Sequence, residues 1–505
     1  MSQNPHVGSQ QLQSSQNQLF LGSFVHSKSL EELEYLHNAA VCVDAKGKIV
    51  AVEADCDRQK ALSQLLPKLG WSVDDVQIHE QPSSKSGRQF FFPGFVDTHL
   101  HASQYPNVGI FGKSTLLDWL NTYTFPLEAS LADRSKAKRV YSRVIRKTLS
   151  HGTTCAAYYA TVDVPSTNLL ADLCLSAGQR ALVGRVCMDL ALTCPEYYRD
   201  ESPEAGLAAA RESIEYIRSI DPDMDIVRPV ITPRFAPACT PELMRGLGAL
   251  AKETELPIQT HVSENKGEIA LVKELFPVET TGARDDSYTA VYDAFGLLTD
   301  KTILAHGVHL TEGEVALIKE KGAKVSHCPC SNSAITSGAA KVRWLLEKGV
   351  CCGLGTDMSG GYSPSVLEAA RQAALVSRHV AMGYSDSSEE GDNADAAARQ
   401  AANDRAKLSV EEVLYLATRG GAEVVGLEKR VGAFEVGMEW DAQLVVLAGV
   451  DEEGEDEVGE EVDGGNVDVF GWESWPDRVA KWVYNGDDRN TKKVWVKGRL
   501  VHERK

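Results

Sequence analysis

Between Phe91 and Val425 the sequence repeats one pattern eight times: a short run rich in apolar and β-branched residues, then a longer amphipathic stretch. The runs begin with FFPGFVDTHLH and continue with GTTCAAYY (152–159), Leu182 to Met188, IVRPVITP (226–233) and PIQTHVS (257–263). TILAHG (302–307), AKVSHCP (323–329) and VCCGLGTD (350–357) complete the set. Short buried runs joined by helical stretches form a parallel sheet, because each return needs a long crossover. Eight such units predict an α/β fold, a (β/α)8 TIM-like barrel over residues 91–426, with its chemistry at the C-terminal ends of the strands.

The flanking segments read differently. Residues 19–90 carry short apolar runs with no stretch of helical length, among them AAVCVDAKGKIVAVEA, whose Asp44-Ala45-Lys46-Gly47 predicts a hairpin turn. Residues 427–505 return to short strands: DAQLVVLAG, KWVYNG and KKVWVKGRLVHER. Strands without crossover helices need partners, so the two segments are expected to supply the first and second halves of a small β-sandwich. Residues 1–18, rich in Gln, Ser and Asn, read as a disordered tail.

Charge narrows the range of partners. The formal charge is 52 − 71 = −19, but residues 451–463 hold nine acids and residues 386–395 hold five, with no base in either stretch. These stretches read as solvated acidic insertions, near 451–465 and near 384–404. The remaining body is only mildly acidic, which argues against binding nucleic-acid backbone or an anionic membrane. The 11 cysteines lack any framework spacing, and no basic-then-apolar leader or spanning segment is present, so a cytosolic protein is expected.

Polar residues collect at the expected strand ends. In Asp97-Thr98-His99-Leu100-His101 the two histidines lie two apart, on one side of a strand. His261 and Glu264 end the fifth run, His306 the sixth and Asp357 the eighth. One mouth gathering several imidazoles and two carboxylates needs a cation to offset their burial. The set suits Zn²⁺ held by His99, His101, His261 and Asp357 at about 2.0–2.2 Å, with one position open to water. Glu264 stands apart from the ligands, positioned to move protons; His306 would align the attacking oxygen, and Asp357 would serve as a second proton acceptor. His327 reads either as pocket lining or as a core residue, and His309 and His151 as structural.

PGFVDTHLH, the HxxE of His261–Glu264 and GLGTD resemble the signatures of the amidohydrolase superfamily. HLHASQYPN, LLDWLNTYTFPLE, TPRFAPACT, THVSE, LAHGVHL, SHCPCSN and GLGTDMSGGYS together resemble its guanine deaminase branch. The resemblance implies hydrolysis of guanine to xanthine and ammonia, one zinc ion per subunit and a homodimer. It further implies catalytic roles for Glu264, His306 and Asp357, and a substrate site drawn from His101, Ala102, Ser103, Gln104, Arg234, Phe235, His261, Glu264 and Asp357. The Arg234 fork fits the O6 and N7 acceptors of guanine. Phe235 can stack on the purine, and the Gln104 amide can pair with its N1–H and O6 edge. Two alternatives stay open: a deaminase of cytosine, adenine or a triazine, and a catalytically silent scaffold on the same fold.

Overall fold

The computed structural model describes residues 16–81, 87–113, 116–383, 405–450 and 465–504. Both acidic insertions, at 386–395 and 451–463, and most of the expected N-terminal tail fall outside these residues. The first strand begins at Asn17, inside that tail.

The strands, in chain order, are β1 (Asn17–Ser27), β2 (Leu33–Val43), β3 (Ile49–Glu53), β4 (Val76–Glu80), β5 (Gln89–Pro93), β6 (Phe95–His101), β7 (Thr153–Tyr159), β8 (Arg180–Gly184), β9 (Val186–Cys187) and β10 (Val227–Pro229). They continue with β11 (Thr232–Pro233), β12 (Ile258–Val262), β13 (Thr302–His306), β14 (Lys324–His327), β15 (Cys352–Leu354), β16 (Ala442–Val446), β17 (Ala448–Gly449), β18 (Asp468–Val469), β19 (Thr491–Val496) and β20 (Arg499–Glu503).

Strands from both ends of the chain share one eight-stranded sheet, in the order β20-β19-β16-β5-β1-β2-β3 with β4 beside β1. The turn at Asp44–Gly47 joins antiparallel β2 and β3. Phe20, Phe24, Phe91, Trp440 and Trp495 bury their rings together on this sheet, so neither end of the chain completes its core alone. Two expectations for these segments need correction. A helical stretch runs through residues 58–68 between β3 and β4, opened by the Asp57 side chain. KWVYNG is not a strand: it ends the helix Trp475–Asn485. A Ser474–Asp477 capping box starts that helix, and Val479, Trp482 and Val483 fall three and four apart on one buried face, a helical period that a six-residue window conceals.

The central region is a mixed α/β assembly of parallel strands. β6 to β8 and β10 pair in order, β9 pairs with β11, and β12 to β15 pair in order. A bridge from Ile231 to Ile258 links the β11 region to β12. At the other seam, Asp357 N–H donates to His99 O (2.8 Å) and His101 N–H to Met358 O (2.9 Å), holding the chain beyond β15 against β6. The third and fourth runs each divide into two short strands. Proline at 229 and 233 removes ladder donors there, and Gly184 lies where an added Cβ would stand 1.9 Å from Thr232 Oγ1.

Helices cover these strands. The helix Arg134–Ser150 is capped by Asp133, whose carboxylate accepts from the N–H groups of Ser135 and Lys136, and it buries Val140, Tyr141, Val144, Ile145 and Leu149. Among the described residues no helix is long and apolar enough to cross a membrane, and all 11 cysteines are free.

Candidate active site

The β6 strand is buried along its whole length, and its end is fixed by Asp97. This carboxylate accepts from Thr356 N–H (3.0 Å) and Thr356 Oγ (2.6 Å), which ties the first strand to the segment leaving β15. His99 and His101 therefore face Asp357. His306 (φ +74°) and Asp357 (φ +44°) both adopt left-handed backbone conformations, uncommon for such residues, so the chain turns sharply where each side chain enters the site.

Four groups converge here. His99 Nε2 and His101 Nε2 lie 3.2 and 3.3 Å from Asp357 Oδ1; His261 Nε2 lies 3.3 Å from His101 Nε2. On the far side, His306 Nε2 stands 3.5 Å from Glu264 Oε2 and 3.8 Å from Asp357 Oδ2. Two tautomers are set by neighbours: His261 Nδ1–H donates to Arg234 O (2.6 Å) and His306 Nδ1–H to Asn332 Oδ1 (2.9 Å). Each bond leaves the Nε2 lone pair aimed at the site, as a ligand or proton acceptor requires. Burial lowers His99 to about 4 and His261 well below its ordinary value, so both imidazoles are neutral. Burial would raise Asp357, but the imidazoles of His101 and His99 set against it outweigh that and hold its carboxyl well below the usual range.

This set fits a divalent cation. The donor atoms of His99, His101 and His261 lie within 4.8 Å of one another. His99 Nε2 and His306 Nε2 are buried without a hydrogen bond among the described residues, a cost that an ion between them would remove.

Beside the cluster opens a cleft of about 420 Å³, lined by His101, Gln104, Arg234, Phe235, Glu264 and Asp357, with Trp119 and Leu120 adding apolar wall. Glu264 is held by Ser337, whose Oγ–H donates to Oε1 (3.0 Å), which leaves Oε2 toward His306. Burial and the Asp357 charge push the Glu264 carboxyl up to about 8, against the pull of that hydrogen bond.

Arg234 and Gln104 meet on a residue that the strand-end reading passed over. Glu128, buried at the end of LLDWLNTYTFPLE, accepts from Arg234 Nη1 (2.7 Å) and Nη2 (3.3 Å), from Gln104 Nε2 (2.8 Å) and from Tyr198 Oη (2.7 Å). Ala102 and Ser103 are buried behind the cleft rather than lining it; Ser103 Oγ points to Ala160 O (3.1 Å) and Glu128. His327 is buried, with neither ring nitrogen bonded among the described residues, and does not line the cleft. His309 donates to Ser337 O (2.8 Å) and so supports the loop that holds Glu264. Asp97, Glu128, Tyr198, Asn332 and Ser337 went unassigned in the sequence. Asp97, Glu128 and Asn332 had one visible sign, their places in segments already marked by resemblance.

The amidohydrolase family model matches residues 90–501. A probable guanine deaminase of Schizosaccharomyces pombe is 44% identical over 96% of this chain and 83% of its own length. The guanine deaminase of Homo sapiens is 38% identical, with 96% of each chain covered. Among solved structures, the guanine deaminase from C. acetobutylicum with guanine bound in its active site superposes with a TM-score of 0.78 at 31% identity, covering 96% of this chain and all of that one. With the family model spanning most of its length and these relatives aligned over most of theirs, the chain belongs to the amidohydrolase family, in its guanine deaminase branch.

Proposed function

We propose that the protein is a zinc-dependent guanine deaminase, adding water to C2 of guanine and releasing xanthine and ammonia. One observation carries this reading: three histidines and a carboxylate converge beside a cleft that Arg234, Gln104 and Phe235 also line. His99, His101, His261 and Asp357 would hold one zinc ion per subunit. When bound, such an ion lowers the pKa of a coordinated water toward about 7.

The protein's own groups do the rest. Glu264 takes a proton from the attacking water and delivers it to N3, a transfer favoured by a carboxyl whose value lies near neutrality. His306, with its Nδ1–H committed to Asn332, offers Nε2 to orient the water. Asp357 receives the second proton and passes it to the 2-amino group, which leaves as ammonia as the C2–N bond breaks and the C2 carbonyl forms. Arg234 donates to O6 and N7, and Phe235 covers one face of the ring. His101, His261, Glu264 and Asp357 border the bound base, while Ala102 and Ser103 shape the turn behind Gln104.

The same reading includes a closed (β/α)8 barrel over 91–426, a β-sandwich division of 19–90 with 427–505, a homodimer and a cytosolic location. The test is direct: guanine is incubated with the purified chain, and xanthine is followed in the ultraviolet together with ammonia. A panel of adenine, cytosine and a triazine separates the neighbouring deaminases, and inactivity with a full complement of metal would favour the silent scaffold.

A further inference from the structure

The Glu128 cluster sets the direction in which the cleft can read a base, a conclusion that rests on the activity just proposed. Glu128 is fully buried, and the Arg234 charge and its hydrogen bonds offset the cost of that burial and hold the carboxyl below its usual range. An ionised carboxylate only accepts. Whatever faces it must therefore donate, so the Gln104 amide has to turn its NH₂ end toward Glu128 Oε1, at 2.8 Å. Its carbonyl becomes the accepting end, with one lone pair engaged by Ser359 Oγ–H at 3.3 Å and one remaining. Arg234 is constrained by the same carboxylate. Two of its five N–H groups bind Glu128 end-on, and its carbonyl accepts from His261 Nδ1, so the residue is held at both ends.

We infer that Glu128 is a specificity-determining positioning residue: by fixing Gln104 as an acceptor and Arg234 as a donor, it selects purines with an N–H next to a carbonyl. Guanine offers that edge in N1–H and O6. 2,6-Diaminopurine carries the same 2-amino group on the same carbon but reverses the edge, with an acceptor at N1 and a donor at position 6. Glu128 does not line the cleft; it acts through Gln104 and Arg234, which do. In Glu128→Gln the shape is kept, but the new amide both donates and accepts, so it no longer dictates which way Gln104 faces.

The test compares kcat/KM for guanine and for 2,6-diaminopurine, read as ammonia release, in the zinc-loaded wild-type chain and in Glu128→Gln. The wild type is expected to prefer guanine by on the order of 10³ or more, as a site that hydrogen-bonds its substrate discriminates against a mismatched edge. In Glu128→Gln the ratio should fall at least about tenfold, with guanine losing and 2,6-diaminopurine holding or gaining. An equal fall for both substrates would mean that Glu128 only supports the fold, and an unchanged ratio would mean that it sets no direction; either overturns the inference. If Glu128→Gln does not fold, Gln104→Met, which removes the carbonyl that Glu128 orients, should lower the ratio in the same direction, and an unmoved ratio there is equally decisive. A wild type inactive on guanine but loaded with zinc would sink the proposed activity as well, whereas an active wild type with an unmoved ratio would sink only the role of Glu128.

Discussion

Glu264 shows how a single side chain is fitted to its task by the groups around it. Ser337 fixes Oε1 and leaves Oε2 on the side of His306, while burial keeps both protonation states within reach near neutral pH. Replacing Glu264 by Gln should leave the bound metal, measured by atomic absorption, near its wild-type stoichiometry while lowering turnover by about 10²–10⁴. Ser337→Ala gives a pH signature. The lost hydrogen bond had favoured the carboxylate, so Glu264 should ionise at a higher pH, and the acid limb of kcat should move upward. A rate profile that stays in place or moves to lower pH would show that Ser337 does not act on Glu264. Ser337 was not legible in the sequence, because it lies on a loop between elements and no periodicity marks a loop hydroxyl that turns inward; Asn332 sits in the short helix Pro329–Ala334, in a segment marked only by resemblance. The histidines were legible because strand alternation and barrel geometry assign a direction to each strand-end residue.

At the level of elements, the site depends on how closely β6 approaches the segment after β15. Gly355 permits that approach: a Cβ there would stand 2.7 Å from Ser326 Oγ, 2.8 Å from His99 Cβ and 2.9 Å from Cys328 Sγ. Gly355→Ala is therefore expected to displace His99 and weaken metal binding by about 10–100-fold, as losses of ligand orientation do, read by competition with a chelating dye. Asp97 makes the complementary contact. Asp97→Ala would leave the Thr356 N–H and hydroxyl buried without partners, at about 1–3 kcal/mol for each group, visible as a lower urea midpoint. The order of strands and helices could be read from the alternation of short and long runs. The broken third and fourth strands, and the helix at Trp475–Asn485, could not. Proline in a ladder and a short helical face register only once the neighbouring strands are in place.

At the scale of the whole molecule, the two ends of the chain are bound to the central strands by buried charge as well as by aromatic packing. Arg180, at the start of β8, donates to Asp441 Oδ2 (2.7 Å) and Glu439 Oε2 (2.5 Å) just before β16. Arg180→Ala would leave the buried Asp441 carboxylate without its cation, while Glu439 keeps Arg430, and should cost about 3–5 kcal/mol of stability, measurable by chemical denaturation. This coupling makes the sheet from both ends a fixed support for β5, and through Pro93-Gly94 for β6 and its histidines. The central claim, that these scattered residues assemble one metal-dependent purine hydrolase, is tested most directly by metal withdrawal and return. Guanine is incubated with the chain before chelation, after chelation and after zinc is restored, with ammonia and xanthine measured in each. Equimolar products should appear, vanish and return with about one zinc per chain; turnover of guanine that persists after the metal is removed, or no turnover with zinc bound at full occupancy, would contradict it.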